Sequence, residues 1–180
     1  MEDSVRLMSV MLAVLIFAPS PASAQPFVEN QTWLRAAGTQ LVMEAEIEVP
    51  GTPVNFFSWF LVNDEWGEGL VGVSKSVKPW LWLASAAGVE KADTPLRFSQ
   101  NVWAGKGRLS TVFTMEYGGS GMWYMNKGLV KVAPRLELGY HSQRFYGTGP
   151  MLKISLTQKF SVWASVINGP QSIIGIHKTF

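Results

Sequence analysis

The sequence contains no cysteine, few charges and, after its first two dozen residues, no long hydrophobic run. Because none of the 180 residues is cysteine, disulfide frameworks, thiolate zinc sites and cysteine nucleophiles are excluded. The 15 basic residues nearly balance the 13 acidic ones, for a net charge of +2, so no nucleic-acid partner is expected. The hydrophobic share of 47% excludes a disordered chain, and the length predicts one domain.

The N-terminal residues 1–24 have the pattern of a cleaved secretory signal peptide. An apolar run at 7–18 follows Arg6, and three small residues at 22–24 precede Gln25. About a dozen apolar residues are too few for a membrane-spanning helix, which needs about 20. We therefore expect a signal peptide at 1–24 and a single exported domain made of the remaining residues, 25–180.

Beyond residue 24 the main pattern is alternation of apolar and polar residues. In the segment 41–49, Leu41, Met43 and Ile47 alternate with glutamates, and the segments 135–143 and 151–160 behave in the same way. A strand sends successive side chains to opposite faces, so each segment has one apolar and one polar face. A helix with these sequences would bury a charge at every turn. The pattern therefore predicts an all-β protein.

The spacing of turn residues predicts about twelve strands in an antiparallel up-and-down barrel. Eleven strand segments follow from residue 40 onward, and an even number requires one more at the front. The segment 28–37 can supply that strand, although its alternation is weak. If 28–37 is instead an amphipathic helix, and one of the eleven segments has been divided from its neighbour in error, ten strands are the alternative. The eleven segments are 40–50, 53–63, 68–77, 80–90, 95–104, 108–117, 121–132, 135–143, 150–157, 160–168 and 172–180.

Connections of two lengths are expected to alternate along the chain. In a meander, successive connections lie at opposite ends of the sheet, so all tight turns would lie at one end and all longer loops at the other, as in outer-membrane barrels. The expected tight turns are 51–52, 78–79, 105–107, 133–134 and 158–159, and the expected longer loops are 64–69, 91–94, 118–121, 144–149 and 169–171.

Charged residues on the polar face are expected to line an enclosed lumen. A three-residue turn at 133–135 would place Val130 opposite Leu138 and Val132 opposite Leu136. The same register places Lys131 opposite Glu137 and Lys127 opposite His141. The candidate lumen residues are Glu44, Glu46, Glu48, Arg97, Glu116, Lys127, Lys131, Glu137, His141 and Lys153.

Aromatic residues cluster near the ends of the predicted strands. Tryptophan and tyrosine favour the headgroup level of a membrane, so two such bands are expected to form interfacial girdles. The candidates for these girdles are Trp66, Trp80, Trp82, Trp103, Tyr117, Trp123, Phe160 and Trp163.

The C-terminus resembles that of bacterial outer-membrane β-barrels. The chain ends on Phe180, with Ile174 and Ile176 at alternate positions before it, although Lys178 interrupts the pattern. The resemblance covers the whole segment 25–180 as architecture. It implies a location in the outer membrane of a Gram-negative bacterium, contact with its lipids, and a terminal aromatic residue that the barrel-assembly machinery reads.

The polar-face pattern leaves three functions open. Glu44, Glu46 and Glu48 could form a constriction-lining ladder, so a small channel or a structural barrel with a charged lumen, without catalytic machinery, is the first hypothesis. A lipid-modifying hydrolase centred on His141 and Ser142 is an alternative, but adjacent strand residues point to opposite faces. A soluble periplasmic lipid-binding barrel is the other. No cofactor or metal is expected, since the two histidines lack suitably spaced carboxylates, and the solute stays unidentified.

Overall fold

The computed structural model describes residues 25–167 and 171–180, so the expected signal peptide at 1–24 lies outside the described residues. None of the described residues forms a helix long and apolar enough to cross a membrane. The strands are β1 (Phe27–Arg35), β2 (Gly38–Glu48), β3 (Asn55–Val62), β4 (Gly67–Lys78), β5 (Leu81–Glu90), β6 (Leu96–Lys106), β7 (Leu109–Gly118), β8 (Gly121–Ala133), β9 (Leu136–Gln143), β10 (Gly147–Ser155), β11 (Phe160–Ile167) and β12 (Gln171–Thr179).

The twelve strands form one closed antiparallel barrel. Each strand pairs with its neighbours in the sequence, and β1 pairs with β12 from Phe27 opposite Thr179 to Leu34 opposite Ser172. Closure gives every strand two partners, which is the condition for a sheet to remain in lipid without a free edge. The prediction of twelve antiparallel strands is confirmed. The ten-strand alternative is wrong, because the weakly alternating segment forms β1 and pairs on both sides.

The outer surface of the barrel is apolar, whereas its interior contains charged and polar side chains. On β2, Leu41 and Ile47 are 53% and 57% exposed, whereas the intervening Val42 and Glu46 are 3% and 1% exposed. The same alternation continues around the barrel, for example at Val62 and the other outward-facing side chains. Exposed apolar side chains over an interior with buried charges are the reverse of a water-soluble barrel, and they argue against the alternative of a soluble periplasmic lipid-binding barrel.

The expected separation of short and long connections is wrong. One rim of the barrel carries both chain ends and the connections 49–54, 79–80, 107–108, 134–135 and 156–159; we call it the chain-end rim. The opposite rim, called the far rim, carries 36–37, 63–66, 91–95, 119–120 and 144–146. The expected loop at 169–171 lies largely outside the described residues. The longest connection, 49–54, lies at the rim where only tight turns are expected. The strands continue into residues that were expected to be loop, which shortens the far-rim connections.

The predicted pairing of β8 with β9 is confirmed at three of its four positions. Val130 lies opposite Leu138, and both Lys131–Glu137 and Lys127–His141 are register pairs. The fourth position is wrong, because a β-bulge between Lys131 and Ala133 places Ala133, instead of Val132, opposite Leu136. An extra residue in one strand shifts the pairing beyond it. The bulge lies beside the turn at 134–135 and leaves the register of the lumen residues unchanged.

Candidate functional site: the barrel lumen

A cavity of about 560 Å³ lies in the lumen and extends from the chain-end rim along most of the barrel. It extends from Gln25 and Thr179 at that rim to Trp33 and Trp123 deeper in the barrel. Six of the eight tryptophans contribute to its wall, and charged side chains of both signs lie between them. These residues are Trp33, Trp59, Trp82, Trp103, Trp123 and Trp163, with Glu29, Glu44, Glu46, Lys127, Lys153 and His177.

Beside the cavity, part of the lumen near the far rim is filled by side chains. Leu61, Leu70 and Ile167 are at most 9% exposed and belong to one packed interior cluster. None of the three contributes to the wall of the cavity. The lumen therefore contains an open chamber, which reaches the chain-end rim, and a packed layer of side chains near the far rim that shares part of its residues with the chamber wall.

A buried ionic cluster centred on Arg97 lies in the packed layer. The guanidinium contacts Glu90 at 2.6 Å, Glu116 at 2.9 Å and Glu68 at 3.0 Å, and all four side chains are buried. The Ser120 hydroxyl donates to Glu90 and accepts a hydrogen bond from Arg97. One cation thus holds three carboxylates together across four consecutive strands, which ties β4 through β7 at the far rim.

The sequence prediction found only part of this cluster. Arg97 and Glu116 are among the predicted lumen residues, whereas Glu68 and Glu90 were missed. Glu68 lies at the start of β4 and Glu90 at the end of β5, and the two residues are directly opposite each other. Extending the alternation of β4 and β5 to the strand ends would have placed both on the polar face.

A second ionic contact crosses the open chamber. Lys127 Nζ on β8 lies 3.4 Å from Glu29 Oε1 on β1, five strands away around the barrel. Glu29 is also 3.2 Å from His177 Nδ1 and accepts a hydrogen bond from Gln31. The Lys127 ammonium lies 4.1 Å from the ring centroid of Trp163. Sequence reasoning identified Lys127 but missed Glu29 and His177, because a contact across a lumen leaves no spacing signal in the sequence.

The three glutamates of the predicted ladder lie in three different environments. Glu46 is buried and accepts hydrogen bonds from Asn55, Ser74 and Trp82 at 2.5–2.8 Å. Glu44 lies in the chamber wall and makes no hydrogen bond or ion pair with any other residue that the structure describes. Glu48 is exposed near the chain-end rim and does not contribute to the chamber. The ladder is therefore three separate carboxylates rather than one continuous row of sites.

The remaining predicted residues lie apart from one another. Glu137 forms an ion pair with Lys153 on β10 at 3.6 Å, and not with Lys131, its register partner on β8. Lys131 is exposed near the chain-end rim. His141 is fully buried in the barrel interior, where its Nδ1 lies 3.0 Å from the Ser165 hydroxyl.

The geometry at His141 does not supply the machinery of a lipid hydrolase. His141 points into the barrel, whereas Ser142 points outward, where its hydroxyl lies 2.7 Å from that of Thr148. The pair His141–Ser165 was missed from the sequence, but the two side chains are 0% and 2% exposed, so no substrate reaches them. Among the described residues, no group of three or more histidine or acidic side chains could hold a metal ion.

Most of the predicted girdle aromatics face the interior, so that prediction is wrong for them. Trp163 is 3% exposed, Trp82, Trp103 and Trp123 line the chamber, and Trp66 packs against the interior cluster. The position of a residue along a strand sets its depth in the membrane, whereas the alternation of side chains sets the face on which it lies. The four tryptophans on strands are at positions whose side chains face the lumen. The candidates outside the interior set are Trp80, Tyr117 and Phe160, of which Trp80 and Tyr117 are 49% and 42% exposed.

No protein-family model matches the chain, and no curated protein sequence matches it. Solved structures with a similar fold include a KdgM porin, with 11% identity and a TM-score of 0.60 over 86% of this chain and 99% of that chain. A KdgM porin in complex with disordered oligogalacturonate gives 11% identity, the same coverages and a TM-score of 0.61. The outer membrane protein Omp33 of Acinetobacter baumannii gives 12% identity and a TM-score of 0.55, over 88% and 98% of the two chains. The chain therefore has the closed barrel fold of outer-membrane porins.

Proposed function

We propose that this protein is an outer-membrane channel for small solutes. The observation that carries the proposal is the charged chamber of about 560 Å³ inside a barrel whose outer surface is apolar. Porins combine this outer surface with a polar interior. The fold similarity to KdgM and Omp33 supports the same function.

The location and assembly of the protein are part of the proposal. A signal peptide at 1–24 would carry the chain across the inner membrane, and the apolar outer face would then contact outer-membrane lipids. Phe180 would be read by the barrel-assembly machinery. Its ring is 56% exposed, and its backbone N–H donates to the carbonyl of Pro26, so the last residue is held at the seam where β12 meets β1.

The charge of the lumen favours cations over anions. In the chamber, the carboxylates of Glu29, Glu44 and Glu46 face two ammonium groups, Lys127 and Lys153. In the packed layer, three carboxylates surround the single guanidinium of Arg97. Rings of acidic side chains attract cations and repel anions in pores. A polyanion such as oligogalacturonate, which a KdgM porin binds, does not fit this charge distribution.

Planar-bilayer recordings test the channel. We expect the purified barrel to conduct. In a KCl gradient, its reversal potential should be shifted toward the equilibrium potential of K⁺. Glu46→Gln removes a chamber carboxylate and is expected to reduce the preference for K⁺. Glu48→Gln, on the same strand but outside the chamber, is the matched control and should leave it unchanged. A folded barrel with no conductance would contradict the channel, and an anion-preferring conductance would contradict its selectivity.

A further inference from the structure

We propose that the tryptophan-lined chamber binds an organic cation of the quaternary ammonium class, with Glu44 as its counter-ion. This inference deepens the proposed function and rests on it for its role in transport. The structural argument for binding is separate, because it depends only on the chamber wall. It has three parts: a carboxyl group without a hydrogen bond or ion pair to another described residue, the tryptophan rings in the wall, and the existing cation contact in the same space.

Glu44 is a carboxyl group of the chamber wall that lacks a direct hydrogen bond or ion pair within the described part of the chain. Its neighbour across β1, Glu29, is held by Lys127 and His177, and its neighbour along β2, Glu46, accepts three hydrogen bonds. Glu44 has no such partner among the residues that the structure describes. Because a carboxylate removed from bulk water is unfavourable without a partner, this position favours a ligand that brings a positive charge.

The indole rings around Glu44 offer faces rather than polar groups. Trp59 is the direct register partner of Glu44 on β3. The N–H groups of Trp33 and Trp82 are already bonded, to Gln31 at 3.0 Å and to Glu46 at 2.6 Å. For Trp33 and Trp82, the part of the side chain left for a ligand is therefore the π system. Tryptophan faces attract cations more strongly than other aromatic side chains do, and aromatic cages are the usual sites for quaternary ammonium groups.

The chamber already contains one contact of this type. The ammonium of Lys127 lies 4.1 Å from the ring centroid of Trp163, within the distance at which the attraction is significant. An ammonium group from the chain itself thus uses one indole of the wall, and the other indoles line the same space. The volume of about 560 Å³ lies in the range of small-molecule sites.

Neutral and anionic ligands fit the chamber less well. For a neutral sugar, part of the hydrogen-bonding capacity of the wall is already in use, because Glu46 and the N–H groups of Trp33 and Trp82 are bonded to each other or to neighbours. An anion would approach three acidic side chains, which Lys127, Lys153 and His177 offset only in part. A permanent organic cation makes use of both the ring faces and the free carboxylate.

Calorimetric titration of the folded barrel in detergent tests the inference. The probe is choline, compared with its neutral isostere 3,3-dimethylbutan-1-ol and with trigalacturonate as the anion. We expect choline to bind at least ten times more tightly than the isostere, and trigalacturonate not to bind. Glu44→Gln should weaken choline binding at least tenfold and leave the isostere unaffected. Trp59→Leu should weaken choline binding as well, whereas Glu48→Gln, the matched control, should not.

Several outcomes would overturn the inference. Absence of choline binding at millimolar concentration, equal binding of the isostere, or unchanged choline binding in a correctly folded Glu44→Gln barrel would each contradict it. Folding of every variant is checked by the mobility shift on heating in SDS. Choline binding without conductance would support the site and contradict the channel, whereas conductance without choline binding would keep the channel and reject the site.

Discussion

At the scale of single residues, the charges inside the barrel are arranged as mutually dependent groups. Arg97 is 4% exposed and contacts three carboxylates that are themselves buried. Removing one partner of a buried ionic group leaves the others without compensation in a medium that solvates charge poorly. The stability of the far half of the lumen therefore depends strongly on one guanidinium.

Replacing Arg97 by methionine is expected to destabilise the barrel by about 3 to 5 kcal/mol, since three buried carboxylates lose the guanidinium that pairs with them. Urea unfolding in detergent, followed by tryptophan fluorescence, measures the change. Arg135→Met is the control, because Arg135 is exposed in the turn before β9, and its effect should stay within about 0.5 kcal/mol. Adding Glu116→Gln to Arg97→Met should recover part of the loss. Equal stabilities of the two single variants would contradict this account of the cluster.

At the scale of the strands, the backbones of β4 and β5 approach each other closely at glycines. Gly72 lies between Phe57 on β3 and Ala86 on β5. A Cβ atom built at Gly72 would lie 2.0 Å from the backbone carbonyl oxygen of Ser85, which no side-chain adjustment can relieve. The close approach of the two strands therefore requires the absence of a side chain at this position.

Gly72→Ala is expected to force β4 and β5 apart and to destabilise the barrel by about 1 to 3 kcal/mol, the usual range for overpacking in a well-packed structure. The same unfolding assay measures it. Gly67→Ala, at the start of the same strand, is the control, because nothing lies within 4 Å of a Cβ at that position. Loss of stability in Gly67→Ala as large as in Gly72→Ala would show that strand propensity, rather than crowding, is responsible.

At the scale of the whole molecule, the barrel is completed only when the last strand meets the first. Phe180 contacts this seam through its bond to Pro26, and its ring lies 4.7 Å from the Lys178 ammonium. Lys178, which interrupts the apolar alternation of β12, thus lies against the terminal ring. The contacts of Phe180 are few compared with those of the paired strands, so its effect on folded stability should be small.

Phe180→Ala is expected to lower the amount of folded barrel in the outer membrane several-fold while changing its stability after refolding in detergent by less than about 1 kcal/mol. Heat-shift gels of membrane fractions measure the first quantity and urea unfolding the second. Leu156→Ala removes an exposed apolar side chain at the same rim and serves as the control. If membrane levels of the two variants were equal, the proposed role of Phe180 in assembly would be wrong.

The sequence by itself determined the strands, their number and the face of most side chains. This was possible because a strand has a period of two, so alternation such as that of Leu41 and Glu46 on β2 directly gives the two surfaces of the wall. The pairing of Lys131 with Glu137 was predictable for the same reason, since register is local once the turn is placed. The bulge beside that turn was not predictable, because the inserted residue leaves no recognisable signal in the alternation of apolar and polar residues.

Only the tertiary structure decided which lumen side chains meet and which aromatics face inward. The contact of Lys127 with Glu29 joins strands five places apart around the barrel, a distance that depends on closure and not on spacing in the sequence. Trp82 and Trp103 lie near strand ends, as expected, but their parity places them in the chamber. Depth along a strand and the face of the sheet are independent quantities, and the aromatic positions alone indicated only the depth.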